Sequence, residues 1–307
     1  VGVGATLAAS LVSVALAASP TPWATPAAGA ATTKIIAVGA ENEYANVLAQ
    51  IGGKYVSVTS ILNNPNTDPH TFEASPSVAE VVSKAELVVQ NGVGYDGFMN
   101  EIESASPNAK RKVIVAQYVL GLPTDTKNPH LWYKPTTMQD VAKVMAKDLE
   151  ELAPGHRAYF QAHLATFETS LDPWFSAIAA FKAKYDGTPV AVTEPVADYL
   201  LQAMGATILT PFVFQADIMN GVDPSPEDVT LEDGFFTKHE VKVFCYNQQV
   251  VDALTTSIRE AAVRADVPVV GVYETMPTPG YDFQTWMEAE VSAISSAVVH
   301  GKSTQKL

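Results

Sequence analysis

His70 lies in "ILNNPNTDPHTFEASPS", among turn formers and directly behind Asp68-Pro69. His130 lies in "NPHLWYKP", again behind a proline. Two carboxylates occupy comparable places further on: Glu194 closes the apolar run "TPVAVTE" and Glu274 closes "VPVVGVYE". A carboxylate at the end of a buried strand is costly unless it finds a cation. Neither glutamate has a Lys or Arg in its own segment. Two neutral imidazoles and two carboxylates brought together from four loops would make a site for a first-row divalent metal. Each residue alone has a plainer reading. A single loop histidine is usually only polar, and Glu194 could cap a helix starting at Pro195, where the helix dipole favours negative charge. His156, His163, His239 and His300 fall on helical or charged stretches and read as solvated or structural.

The elements that must position these residues alternate. "KIIAVGA" reads as a buried strand. Tyr44, Val47, Leu48 and Ile51 then recur on one helical face, and Gly52-Gly53 stops that helix. "YVSVTSIL", "ELVVQNG" and "RKVIVA" are further strands, with a helix at "PSVAEVVSKA". From Pro135 the pattern is helical, with Met138, Val141, Met145, Leu149 and Leu152 in one stripe. A second stripe, Phe160, Leu164, Phe167, Leu171, Phe175 and Ile178, makes 154–186 one long bridging element, which Pro173 should kink or split. Alternation then resumes: strands at "TPVAVTE", "ATILTP", "EVKVFCYNQQ" and "VPVVGVYE", helices at "PVADYLLQAMG", "SPEDVTLEDGFF", "DALTTSIREAAVRA" and "FQTWMEAEVSAISSAVV". There is a faint internal echo, Pro-Ser, a helix, then an apolar strand ending in an amide, at "PSVAEVVSKAELVVQNG" and again from Pro224 in "PSPEDVTLEDGFFTKHEVKVFCYNQQ". The expectation is an α/β protein of two doubly wound parallel-sheet lobes, 34–153 and 187–307, joined by a long helix. Such lobes bind ligands beyond the carboxyl ends of their strands, so two of them frame a cleft.

Composition narrows the partners. A formal net charge of -14 and a pI near 4.8 argue against nucleic acid and anionic membrane surfaces. The single cysteine, Cys245, lies in an apolar strand and reads as a small buried hydrophobe, so no intrachain disulfide is possible. "GATLAASLVSVALAA" has the small-residue, apolar character of a secretory signal peptide, and the Pro/Ala/Thr-rich stretch behind it reads as a disordered tether, together residues 1–33. No cysteine near the A-x-A pattern suggests a lipid anchor. The expected location is therefore outside the cytoplasmic membrane, periplasmic or extracellular, with an uncleaved segment as the alternative tether.

"TDPHTFEASPS", "NGVGYDGFM" and "NPHLWYKP" together resemble the metal-binding solute-binding proteins of zinc and manganese ABC importers, the ZnuA- and TroA-like family, across Lys34 to His300. The resemblance implies an extracytoplasmic receptor, expected to be monomeric, that holds one Mn2+ or Zn2+ and delivers it to a membrane permease. The motif histidines fall on His70 and His130, the third ligand on Glu194, and the fourth on Glu274 in "VYETMP", with Asp282 in "GYDFQTWM" a nearby competitor. The His- and acid-rich loop of many zinc-specific members is absent, since "GLPTDTKNPH" leads straight to His130. That absence and the carboxylate at the third position lean toward manganese, with zinc next. The long bridging helix implies modest lobe tilting or loop movement on binding. A second class is a secreted metal-dependent hydrolase. Against it, the chain has no H-E-x-x-H and no G-x-S-x-G, and four protein ligands leave little room for an activated water. A surface adhesin is a third reading.

Overall fold

The computed structural model describes residues 1–4, 34–66 and 68–307. The signal-like and tether segment expected across 1–33 lies, beyond its first residues, outside the described residues.

The N-terminal sheet contains β1 (Ile35–Glu41), β2 (Val56–Leu62), β3 (Leu87–Gln90) and β4 (Lys112–Val115). Its order is β2-β1-β3-β4, all parallel, with Val38 opposite both Thr59 and Val88. The helices of this lobe are α1 (Asn42–Gly52), α2 (Pro76–Lys84), α3 (Gly97–Ala105), α4 (Ala116–Val119) and α5 (Thr137–Leu152). Tyr44, Val47, Leu48 and Ile51 of α1 are all fully buried, as their spacing predicts. β3 is buried at every position, the mark of a central parallel strand covered on both faces.

The stretch expected as one bridging element is two helices, α6 (Arg157–Ser170) and α7 (Asp172–Tyr185), after a single 3-10 turn at Pro154–His156. Pro173 stands in the first turn of α7, where its missing N–H is harmless. Leu171 between them keeps right-handed helical dihedrals (φ -83°, ψ -14°). The buried face beyond the break is Trp174, Ile178 and Phe181, with Phe175 only half-buried, so the aromatic stripe shifts by one residue at the junction. α6 packs on α1 and α5 of the first lobe, while α7 packs on the last helix of the second.

The second lobe repeats the plan with β5 (Pro189–Val192), α8 (Asp198–Ala203), β6 (Thr207–Ile208), α9 (Phe212–Met219), α10 (Pro226–Thr237), β7 (Val243–Asn247), α11 (Ala253–Arg264), β8 (Val269–Val272) and α12 (Phe283–His300). Its sheet order, β6-β5-β7-β8, is the first lobe's order over again, and all pairs are parallel. The free edge of β8 is covered by the chain's end, where Gly271 N–H donates to Thr304 O and Thr304 N–H to Val269 O, each at 2.9 Å. Both echoed segments open on a helix start. Ser75 accepts from Val78 N–H and Ser225 from Asp228 N–H, each followed by a proline. Cys245 is buried in β7.

One hydrophobic core runs through both lobes, from Tyr44 and Trp132 through Phe167 and Trp174 to Phe283 and Trp286. Among the described residues no helix is long and apolar enough to cross a membrane.

Candidate metal centre

His70 stands on a one-turn 3-10 helix, Pro69–Thr71. Asp68 caps that turn: its Oδ1 accepts the His70 N–H at 2.8 Å, and its carbonyl accepts the Thr71 hydroxyl at 2.9 Å. Pro69 removes one more backbone freedom, so the imidazole is presented by a preset loop. Its side chain keeps 23% of its surface exposed, while His130 and Glu274 are completely buried. His70 therefore stands at the mouth, where it lines a groove of about 490 Å³ with Asp68, Met219, Asn220 and Gln249.

His130 follows Pro129 and precedes the 3-10 turn Leu131–Tyr133. Asn128 Oδ1 accepts the His130 backbone N–H at 3.0 Å and lies 2.9 Å from its Nδ1. That contact places a proton on Nδ1 and leaves Nε2 as the nitrogen that faces the cleft. Asn128 is fixed from the far lobe, donating through Nδ2 to Pro195 O at 2.7 Å.

Glu274 lies two residues past β8 and reaches back to both imidazoles. Its Oε2 is 3.1 Å from His70 Nε2 and 3.2 Å from His130 Nε2. One ligand-capable atom from each of these residues lies within 4.8 Å of the others, a spacing a single ion can bridge. The Tyr95 hydroxyl donates to the same Oε2 at 3.0 Å, and Asn247 Nδ2 donates to Oε1 at 2.6 Å. Gln249 Oε1 accepts the backbone N–H of Glu274 and of Thr275, each at 2.8 Å, which pins the loop.

Glu194 is brought to the same place but stands outside that three-residue cluster. Asn247 Nδ2 donates to its Oε1 at 3.2 Å, and its Oε2 is buried with no hydrogen-bond partner. It does not cap a helix: Pro195–Ala197 form a turn, and α8 starts at Asp198 with no side-chain cap. Asp282 is turned to other work. It is the N-cap residue of α12, its Oδ1 accepts from Asn46 Nδ2 at 3.0 Å, and its backbone N–H donates to Thr285 Oγ1 at 3.0 Å. His156 stacks on Tyr55 with ring centroids 3.7 Å apart, and His163 on Tyr159 at 4.0 Å, both as structural residues.

The electrostatics fit a cation. Burial alone would drive the Glu274 carboxyl upward, yet the two imidazoles outweigh it and hold it well below the usual carboxylate range. Burial opposes the charged form of His70, but the hydrogen bond and charge of Glu274 win and its pKa is raised. In His130 burial wins over Glu274 and the pKa falls. Burial, then the charge of Glu274, pushes Glu194 well up. Behind the site lie three more buried acids, Glu41, Glu43 and Asp96. Burial is the main cause in each of their upward shifts, with Asp96 raised to about 6.

Sequence reasoning singled out none of Tyr95, Asn128, Asn247 and Gln249 as parts of the site. Tyr95 and Asn128 do lie inside the motif stretches "NGVGYDGFM" and "NPHLWYKP". Asn247 is the amide closing β7, one half of the internal echo; the other half, Asn91, holds Pro129 O at 2.8 Å, one residue before His130.

A family model described as the periplasmic zinc-uptake complex component A, ZnuA, matches residues 38–297. A putative metal-binding protein of Thermotoga maritima is 24% identical over 230 residues, 74% of this chain and 80% of that protein. The manganese-binding lipoprotein MntA of Bacillus subtilis is 29% identical over 154 residues, a stretch spanning 47% of this chain and 47% of its own length. Among solved structures, the periplasmic zinc-binding protein TroA from Treponema pallidum aligns with a TM-score of 0.72 at 17% identity, over 88% of this chain and 99% of that one.

Proposed function

Since this chain belongs to the family of the periplasmic zinc-uptake complex component A, a family of transport receptors and not enzymes, we propose that it captures one divalent transition-metal ion, manganese or zinc, in its interlobe cleft. It then delivers the ion to the permease of an ABC importer. The observation that carries this reading is the convergence of His70, His130 and Glu274 on one point. His70 and His130 supply nitrogen from the first lobe; Glu274 and Glu194 supply oxygen from the second. Two carboxylates neutralise a divalent charge, and two imidazoles from the other lobe make the ion a bridge between lobes. The hydrogen bonds on Nδ1 of His130 and on both oxygens of Glu274 support it, because metal-ligating side chains are held by such outer partners.

The receptor works outside the cytoplasmic membrane, as the signal-like residues of 1–33 suggest, and as a monomer. Binding needs neutral imidazoles, so acidification releases the ion. The test is competitive titration with Mn2+ and Zn2+, joined to metal analysis of the purified chain. One tightly held ion per chain in wild type, lost in His70→Ala and Glu274→Ala, is the expected result. A wild type that holds neither ion at neutral pH overturns the reading.

A further inference from the structure

The two oxygens of Glu274 are held for different purposes. Oε2 faces His70 and His130 and receives the Tyr95 hydroxyl at 3.0 Å. Oε1 is taken by Asn247 Nδ2 at 2.6 Å. Asn247 has little freedom to move. It is 1% exposed, its backbone N–H donates to Thr193 Oγ1 at 2.9 Å, and its Oδ1 accepts the Gln249 N–H at 2.9 Å. Its Nδ2 also donates to Glu194 Oε1 at 3.2 Å. One amide thus engages one oxygen of each carboxylate, and Glu194 is left with one buried oxygen, Oε2, without a hydrogen-bond partner.

Tyr95 is placed with equal care. It follows a turn in which Gly92, Val93 and Gly94 all have positive φ, at 81°, 55° and 76°. A β-branched residue in that region is strained and persists only where its surroundings over-determine it. They do: Val93 N–H donates to Gln117 Oε1 at 2.8 Å, and Gly92 N–H to Asp96 Oδ1 at 2.9 Å. The Tyr95 ring stands edge-on to both imidazoles, with centroids 5.5 Å from His70 and 5.8 Å from His130. Its hydroxyl therefore occupies the space beside Oε2, on the side that faces the imidazoles.

We propose that Asn247 and Tyr95 are the specificity-determining residues of this site, which restrict Glu274 and Glu194 to one oxygen each and so favour a four-coordinate ion, zinc, over manganese. The proposal rests on the metal-receptor reading. Two imidazole nitrogens and two single carboxylate oxygens make the four-donor set of tetrahedral zinc. Manganese prefers six donors rich in oxygen. Here six are reached only if a carboxylate turns to give both oxygens, which breaks the Asn247 contact, or if water enters beside Tyr95.

The experiment is competitive titration of the full chain with Zn2+ and with Mn2+, for wild type, Tyr95→Phe and Asn247→Ala, beside the thermal midpoint of each without metal. Wild type should prefer zinc. Each variant should lose zinc affinity by about 10- to 100-fold, the usual effect of removing an outer partner of a ligand. Manganese affinity should hold or rise, so that the zinc-to-manganese ratio falls by about tenfold or more. Tyr95→Phe keeps the ring and the fold, and decides the matter if Asn247→Ala does not fold. Equal weakening of both metals, or no change in either, overturns the proposal while the receptor reading stands. A wild type that binds neither metal overturns both.

Discussion

His130 owes its tautomer to Asn128, whose one carbonyl oxygen meets both its backbone N–H and its Nδ1. Asn128→Ala leaves the ring free to turn and to move its proton to Nε2. Metal affinity should then fall by about 10- to 100-fold, while deleting His130 itself should cost more than that. Isothermal titration at neutral pH separates the two; an Asn128→Ala protein that binds as tightly as wild type would remove the asparagine from the account. His70 and His130 were legible in the sequence because each is announced by its own neighbours, a proline before it and a turn around it. Glu194 and Glu274 were legible as acids ending apolar runs without a nearby cation. Their partners were not. Tyr95 meets Glu274 across 179 residues, and Asn247 meets Glu194 across 53. No local pattern records a contact between side chains that distant. The buried trio Glu41, Glu43 and Asp96 escaped notice for a related reason. Acids in "GAENEY" look solvated until the fold closes over them.

α1 carries a polar seam that holds the lobes together. Asn42, Asn46 and Gln50 recur every four residues on one face. Asn42 exchanges two hydrogen bonds with the backbone of Met276, at 2.8 and 2.9 Å. Asn46 accepts the Phe283 N–H and donates to Asp282, both at 3.0 Å, and Gln50 pairs with Gln284. Asn46→Ala orphans the first N–H of α12 and should destabilise the protein by about 1–3 kcal/mol, read as a lower urea midpoint at unchanged slope. α12 carries its own liability. Glu290 is wholly buried; Trp286 Nε1 donates to its Oε1 at 3.0 Å, and burial raises its pKa to about 8. Because this folded value lies above the unfolded 4.5, the folded state binds the extra proton between them. The group's contribution is best below about pH 4.5, declines as pH rises to about 8, and is flat beyond, with a slope of up to about 1.4 kcal/mol per pH unit. Glu290→Gln keeps the Trp286 contact and removes that slope. Its stability should match wild type near pH 5 and exceed it by a few kcal/mol near pH 9. Parallel denaturation curves at every pH would contradict the buried-proton account. The strands were readable as apolar runs, and long α5 and α12 by period. Short α8 lies inside the helix expected at "PVADYLLQAMG", but α3, α4 and α9 were missed, since one to three turns of helix packed on a sheet have too few positions to show a period. At the bridge the core takes Trp174 rather than Phe175, because α6 ends at Ser170 and α7 starts a new period at Asp172.

The two lobes are versions of one plan, and the plan explains where most polar side chains of the cleft arise. Both sheets run second-first-third-fourth, and the side chains that meet in the cleft follow the carboxyl ends of their strands. Glu41 at the end of β1 matches Glu194 beyond β5; Asn91 beyond β3 matches Asn247 closing β7. The chain from β4 leads to His130 as the chain from β8 leads to Glu274. An ion held as proposed would draw nitrogen from one lobe and oxygen from the other, and would bridge them. How far the lobes can move is set by what already joins them: α6 on one side, α7 on the other, a shared core from Tyr44 to Trp286, and the α1 seam. Opening by a wide hinge would expose that core, whereas a small tilt or a shift of the His70 loop would not. Metal at about 100 times its Kd should thus add about 2.7 kcal/mol of stability, lost on chelation. The radius of gyration, by small-angle scattering on the same samples, should stay nearly constant. A large contraction on adding metal would mean that the seam opens freely and that α6 and α7 act as a hinge. Stabilisation without contraction places the movement in the loops, with His70, the one ligand candidate left partly exposed at the mouth, as the first to let go.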